Sequence, residues 1–148
     1  VKGVYEGLTL ATTPAHLYRA LLEASAFGMR WIVDVLRDGG VPIDRFVATG
    51  GLPHHNPAVI QVYSDVLACE IEVHPSKQGP AIGAAVLGMI AAGESKSGFA
   101  SVADAAQTMA AVPGDEKQIV SPDLSEKETY DAIYNRYRRL ANAVKMAE

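Results

Sequence analysis

Two consecutive units of strand, turn and helix constrain the fold of this chain more than any other feature. In the first unit, a β-type run at Arg45–Thr49 ends in Gly50-Gly51, and a helix signal opens at Asn56-Pro57. In the second, Glu70–Val73 alternates like a strand, a polar loop follows, and Pro80 starts a helix. Strands that alternate with helices through short connections predict parallel strands with right-handed crossovers. We therefore predict an α/β fold.

A long helix is predicted before these units. Thr13 is its expected N-cap, Pro14 occupies its first position, and Gly39-Gly40 ends it. Residues at helical spacing predict its buried face: Leu17, Ala20, Leu21, Ala24, Gly28, Trp31, Ile32 and Val35.

The last helix opens with a predicted capping box formed by Ser125 and Glu128. Its expected buried face is Tyr130, Ile133, Tyr134, Tyr137, Leu140, Ala141 and Val144. Arg136, Arg138 and Arg139 are expected on the opposite, solvated face.

Composition excludes several classes of function. A net charge of −4 without a basic cluster argues against nucleic-acid and anionic-membrane partners. The longest apolar run, Ile82–Ala92, is interrupted by glycines and is too short to span a bilayer. The single cysteine, Cys69, has no partner for a disulfide or a zinc site, which favours a cytoplasmic protein.

The length of 148 residues fits one domain. We divide it into a core, residues 1–93, and a C-terminal helical extension, residues 94–148. The chain begins at Val1 and enters at once a stretch typical of the middle of a domain, so we expect a fragment of a longer protein. A truncated sheet would expose a strand edge, and we therefore expect the chain to self-associate as a homo-oligomer.

The predicted topology brings two loops, Gly50–Asn56 and Ser76–Gly79, to the carboxyl ends of the strands, where open α/β sheets bind ligands. Gly50 and Gly51 would let the backbone approach an adenine ring or a phosphate closely, although a tight turn without a ligand remains the alternative. Lys77 and Gln78 are candidates for contact with a phosphate or ribose, with an ordinary surface role as the alternative.

No metal site is expected in these loops. His54 and His55 are adjacent and have no carboxylate or cysteine at ligand spacing, so we interpret them as exposed loop histidines.

Three segments together carry a family resemblance. The stretch GVYEGLTLATTPAHLYRALLE, residues 3–23, resembles the second signature of the FGGY family of carbohydrate kinases. Residues 44–73 and 78–93 are similar, in the same order, to the adenosine-site segment of that family and the helix after it. Within the family, GLTLATTP, GGLPHHNP and Gln78 before PAIGAA most resemble the members that act on ribulose.

The resemblance implies part of an actin-like, ribonuclease-H-like ATPase domain, the C-terminal domain of a cytoplasmic enzyme. That enzyme transfers the γ-phosphoryl group of ATP, with magnesium, to a sugar hydroxyl, in the manner of a ribulose kinase of arabinose catabolism. By position, Asn56 matches the asparagine that contacts adenine in relatives such as glycerol kinase, and a one-residue offset makes His55 its rival. Asn56 also fits an ordinary helix N-cap. The expected nucleotide-binding residues are Gly50, Gly51, Leu52, His55, Asn56 and Gln78.

No catalytic residue is expected within the chain. It lacks a Gly-rich phosphate loop, a nucleophile elbow and a spaced pair of metal-binding carboxylates. The resemblance implies that the catalytic aspartate, the sugar pocket and most contacts to magnesium lie upstream of Val1, so the fragment alone should be inactive. The alternatives are a non-catalytic nucleotide-binding or interaction module, and a kinase of the same family for xylulose, gluconate or glycerol.

Overall fold

A computed structural model of the chain describes residues 3–110 and 118–146. The elements in these ranges are α1 (Pro14–Asp38), β1 (Phe46–Ala48), α2 (Leu52–His55), α3 (Pro57–Leu67), β2 (Ile71–Val73), α4 (Gly79–Ala92), α5 (Glu94–Ser97), α6 (Val102–Met109), β3 (Gln118–Val120), a 3-10 helix (Leu124–Glu126) and α7 (Lys127–Met146). None of the described helices is both long enough and apolar enough to cross a membrane.

The sheet confirms the predicted parallel pair. Strand β1 runs parallel to β2, with Phe46 opposite Ile71, and β3 pairs antiparallel with the other edge of β2. Strand β2 is the central strand, and both of its edges are paired. The side chain of Ile71 in this strand is buried. Residues 94–148, predicted to form a helical extension, also contribute the strand β3.

The chain forms two compact units that interleave along the sequence. The first contains the described residues of Val1–Arg45, Gln61–Glu70 and Ser121–Glu148, and the second contains those of Phe46–Ile60 and Ile71–Val120. A domain boundary at residue 93 stays a prediction.

Aromatic residues form the core of the first unit. Phe27 of α1 lies 6.2 Å, 5.9 Å and 5.7 Å, between ring centroids, from three tyrosines of α7: Tyr130, Tyr134 and Tyr137. Val62 and Val66 of α3 complete this cluster. The predicted buried face of α7 is confirmed at Tyr130 and Tyr134.

The buried face of α1 differs from the predicted one. Ala26, Phe27 and Val33 are buried, whereas Ile32 and Val35 of the predicted face are exposed. The tyrosine hydroxyls of α7 need polar partners in the core, and the charged side of α1 supplies them. The helix therefore turns its charged residues toward α7.

The start of α1 is confirmed and the start of α7 is corrected. Thr13 caps α1 by accepting the backbone N–H of His16 at 3.4 Å, while His16 accepts the backbone N–H of Thr13 at 3.3 Å. Before α7, Asp123 accepts both the backbone N–H and the hydroxyl of Ser125, at 3.0 Å and 2.6 Å. Asp123 therefore caps the 3-10 helix that leads into α7, and its carboxylate takes the Ser125 N–H that the predicted capping box would give to Glu128.

One of the three arginines of α7 also contacts aromatic rings. The guanidinium of Arg138 lies over the ring of Trp31, 5.3 Å from its centroid, and 5.8 Å from the centroid of Tyr134. Arg136, Arg138 and Arg139 are all exposed, as predicted. Arg138 therefore contributes a cation–π contact to the packing of this unit.

In the second unit, α4 packs against α6 beside the sheet. Val86 of α4 and Ala105 of α6 are buried, whereas Ala85 of α4 is exposed. Ser101 caps α6 by accepting the backbone N–H of Asp104 at 3.1 Å.

Candidate functional site

The carboxyl ends of β1 and β2 lie side by side, as the topology predicts. The backbone N–H of His74, the first residue after β2, donates to the carbonyl of Ala48 at the end of β1, at 2.9 Å. The two strands then lead into Gly50-Gly51 and into the loop before Gly79. The predicted juxtaposition of the two loops is confirmed.

Gly50 makes the turn after β1 possible. It is buried and has a φ of +87°, a conformation that costs residues with a Cβ atom about 1–2 kcal/mol. Gly51 has an ordinary φ of −76° and precedes α2. Of the two predicted glycines, Gly50 is the one that the backbone conformation requires.

Gly79 lies close to the end of β1 and to the turn that follows it. A Cβ atom at this position would lie 2.8 Å from Oγ1 and 3.1 Å from Cβ of Thr49, which is too close for an unstrained contact. Sequence reasoning missed this glycine as part of the site. The sequence signal for this site residue is the glycine directly before Pro80. A helix start normally accepts many residues, so a glycine there indicates a close neighbour.

The segment after Gly51 is helical, not a loop as predicted. In α2, His54 is half-buried, and its Nε2 lies 3.0 Å from the carbonyl oxygen of His74. A carbonyl can only accept, so this nitrogen donates. His54 therefore joins the two strand ends, and its interpretation as an exposed loop histidine is wrong.

The tautomer of His74 follows from its own contact. Its Nδ1 accepts the backbone N–H of Ser76 at 3.1 Å, so in the neutral ring Nε2 carries the proton. His74 is a hydrogen-bond donor at the edge of the sheet that sequence reasoning missed.

The predicted site residues occupy the two adjoining segments. Leu52 is 60% exposed, and the exposed ring of His55 lies 3.4 Å from the position of a Cβ atom on Gly51. Asn56 is half-buried between α2 and α3. Gln78 is exposed, and its backbone N–H donates to Ser76 Oγ at 3.2 Å. The second unit thus contains all six residues, with Gly50, Gly51, Leu52 and His55 in one turn.

A mostly apolar cavity of about 470 Å³ opens at the same edge. Its lining residues come from the strand ends, α4 and α6: Thr49, His74, Gly79, Ile82, Gly83, Val86, Leu87, Val102, Ala106 and Ala110. A Cβ atom on Gly83 would meet no atom within 4 Å, so this position is open. A cavity of this size with few polar groups suits a flat, largely apolar ring system.

Within residues 3–110 and 118–146, no three His, Cys, Asp or Glu side chains are grouped closely enough to hold a metal ion. Magnesium prefers carboxylate oxygens in octahedral geometry, and the described strand ends do not supply such a set. These residues therefore do not fit a magnesium site of their own.

Comparison with known proteins adds the family. The model for the C-terminal domain of the FGGY family of carbohydrate kinases matches residues 1–92, more than half of the chain. The chain belongs to the FGGY family of carbohydrate kinases. The match includes β1, β2 and the loops that follow them.

The curated relatives of this FGGY chain include several ribulokinases. It is 41% identical over 138 residues to the ribulokinase of Geobacillus thermodenitrificans and 38% identical over 140 residues to that of Mycolicibacterium smegmatis. These matches cover 93% and 95% of this chain but only 24% and 23% of the relatives. The chain thus spans about a quarter of the length of the curated relatives it matches.

Two solved structures share its fold. A xylulose kinase from Rhodospirillum rubrum superposes with a TM-score of 0.73 at 32% identity, over 98% of this chain and 28% of its own. A xyloylose kinase from Brucella ovis superposes with a TM-score of 0.77 at 26% identity, over 100% and 28%. The predicted fold class, part of an actin-like sugar-kinase domain, is confirmed.

Proposed function

We propose that this chain is the C-terminal part of an ATP-dependent sugar kinase that phosphorylates ribulose. The observation that carries the proposal is the family match together with the ribulokinases among the curated relatives. The reaction moves the γ-phosphoryl group of ATP to a hydroxyl of the ketopentose. We place this enzyme in the cytoplasm, without nucleic-acid or membrane partners, in keeping with the net charge of −4 of these 148 residues.

Within that enzyme, we assign the adenosine part of the ATP site to the edge formed by β1 and β2. The positive φ of Gly50 forms the turn at this edge, and Leu52 offers an exposed apolar side chain two residues later. His55, Asn56 and Gln78 supply polar groups at the same edge, with His55 and Asn56 as alternatives for the adenine contact. The neighbouring apolar cavity gives room for a purine ring.

Phosphoryl transfer requires groups beyond this chain. Its catalysis depends on positioning and on stabilising charge at the transferred group, which takes a base, phosphate contacts and metal ions. The described residues hold no cluster that fits magnesium. We therefore expect the isolated 148-residue chain to turn over no sugar and to bind nucleotide weakly.

The substrate assignment is tested with the longer gene product that contains this chain. ADP release is measured with ribulose, xylulose, glycerol and gluconate as acceptors. Preference for ribulose supports the proposal, and preference for another sugar keeps the family but contradicts the substrate. Absence of ADP release with all four would favour a non-catalytic nucleotide-binding module.

The nucleotide site is tested with matched leucine variants of the same gene product. Leu52→Ala should raise the KM for ATP by roughly 3- to 10-fold, since one apolar contact is worth about 1 kcal/mol. The KM for the sugar should stay unchanged. Leu124→Ala is the control, because Leu124 is 62% exposed and belongs to the other unit. Equal KM values for ATP in both variants would contradict the assignment.

Xylulose is the second candidate substrate. One of the solved structures with a matching fold, 32% identical to this chain, is named a xylulose kinase. The assay above separates the two ketopentoses directly.

A further inference from the structure

Helix α1 carries its charged residues on the side that packs within its own unit. Four of its six charged residues contact α7: Arg19, Glu23, Arg30 and Asp34. Arg30 donates to Asp131 at 2.6 Å and to the carbonyl of Val66 at 3.2 Å. A helix at a protein surface normally shows the reverse arrangement, with charges toward water.

The opposite side of α1 is apolar and open. Leu21, Ile32 and Val35 are 55%, 58% and 58% exposed. With Gly28 they follow one line along the helix, at intervals that bring them onto the same face. This face, which we call the outer face of α1, contains no charged residue.

The outer face also has a shape that accepts side chains. A hollow of about 350 Å³, almost wholly apolar, is lined by Gly28, Trp31, Ile32, Val35 and Leu36. Contiguous apolar surfaces of this kind mark sites of interaction.

A helix with an apolar outer face and paired charges on its inner side has the composition of a helix buried on both sides. The regular spacing of Leu21, Gly28, Ile32 and Val35 is the pattern from which the sequence predicts a buried face. The described residues bury the other face instead.

We propose that the outer face of α1 is covered by the part of the same polypeptide that precedes this chain. The matched family model is a C-terminal domain, and the chain spans only 24% of the Geobacillus relative. About three quarters of such a protein is therefore available to cover the face. The absence of charge on the outer face requires an apolar covering element, with a large aliphatic or aromatic side chain seated in the hollow beside Gly28.

The alternative, that a second copy of this chain covers the outer face, predicts a different result. Its protection of the outer face would depend on concentration and would already occur in the isolated 148-residue chain. If the preceding polypeptide covers the outer face, protection of that face should not depend on protein concentration. It should also not depend on which sugar the enzyme phosphorylates.

Thiol labelling tests the proposal without any enzymatic readout. Single cysteines are introduced by Ile32→Cys and Val35→Cys, with Leu124→Cys as the control at equal exposure, all in a Cys69→Ala background. Labelling by a maleimide is followed by peptide mass spectrometry, which separates these thiols from others in the longer gene product. The same variants are labelled in the 148-residue chain.

In the longer protein, cysteines at 32 and 35 should react at least roughly tenfold more slowly than in the 148-residue chain, because a covered thiol reacts only after local opening. The cysteine at 124 should react at similar rates in both. Equal rates at 32 and 35 in the two proteins would overturn the proposal. Protection in the 148-residue chain that rises with its concentration would also overturn it, in favour of a second copy.

Discussion

The close approach of Gly79 to Thr49 predicts that a larger residue at position 79 lowers the free energy of unfolding. In Gly79→Ala the new Cβ atom would lie 2.8 Å from Thr49 Oγ1 and 3.1 Å from its Cβ, so one of the two loops must move. Such overpacking costs about 1–3 kcal/mol. The gain in helix propensity from alanine offsets up to about 1 kcal/mol of this. We expect a net loss of about 1.5 kcal/mol in the free energy of unfolding.

Urea denaturation of the 148-residue chain, followed by circular dichroism at the helix band, measures this loss. With a slope of about 2 kcal/mol per molar urea, the midpoint should fall by about 0.7 M. Gly83→Ala is the matched control in the same helix, since its Cβ atom would meet nothing within 4 Å. That variant should be more stable than the parent by about 0.5–1 kcal/mol.

A double mutant identifies the cause. Thr49→Ala removes Oγ1 but keeps the Cβ contact, so Thr49→Ala/Gly79→Ala should recover part of the loss, with a coupling energy of about 0.5–1 kcal/mol. If Gly79→Ala is as stable as the parent, or if the two substitutions are strictly additive, the close approach of the two loops is refuted.

Three further predictions concern stability. Gly50→Ala should lower the free energy of unfolding by about 1–2 kcal/mol because of its φ of +87°, while Gly51→Ala, at an ordinary φ, should be nearly neutral; urea midpoints compare them. Phe27→Ala should cost about 3–5 kcal/mol, since Phe27 packs on three tyrosines, and a loss below 1 kcal/mol by the same assay would contradict this core. Burial, and then the hydrogen bond to Asp34, raises the pKa of Tyr134 from 10.0 to about 12. The unfolded chain therefore loses this proton first, and stability should fall by about 2 kcal/mol as pH rises from about 10 to about 12. Tyr134→Phe should flatten this slope, which chemical denaturation across that pH range would measure.

Local sequence signals predicted most of the elements. Thr13-Pro14 and Gly39-Gly40 bound α1 to within one residue, because N-caps and glycine stops act through neighbouring backbone groups. The parallel pairing of β1 and β2 followed from the alternation of strands and helices. The capping box at Ser125 failed because a second cap, Asp123, competes for the same backbone group.

The candidate site was predicted in part. The positions of Gly50 and Gly51 after β1 followed from their place between a strand and a helix signal. Gly79 and His74 were missed, because their significance depends on an atom of the other loop, Thr49 Oγ1 or the ring of His54. No local pattern encodes such a contact.

Sequence by itself determined the α/β class, the order of the first long helix and of the two strand and helix units after it, and the membership of the family, since these depend on periodicity, turn residues and ordered motifs. Tertiary structure alone decided which face of α1 is buried. Both faces have helical periodicity, and only the positions of the tyrosines on α7 select the face with Arg19 and Asp34. Tertiary structure also decided how closely the two loops meet, because that distance depends on the packing of β1 and β2 and not on either segment alone.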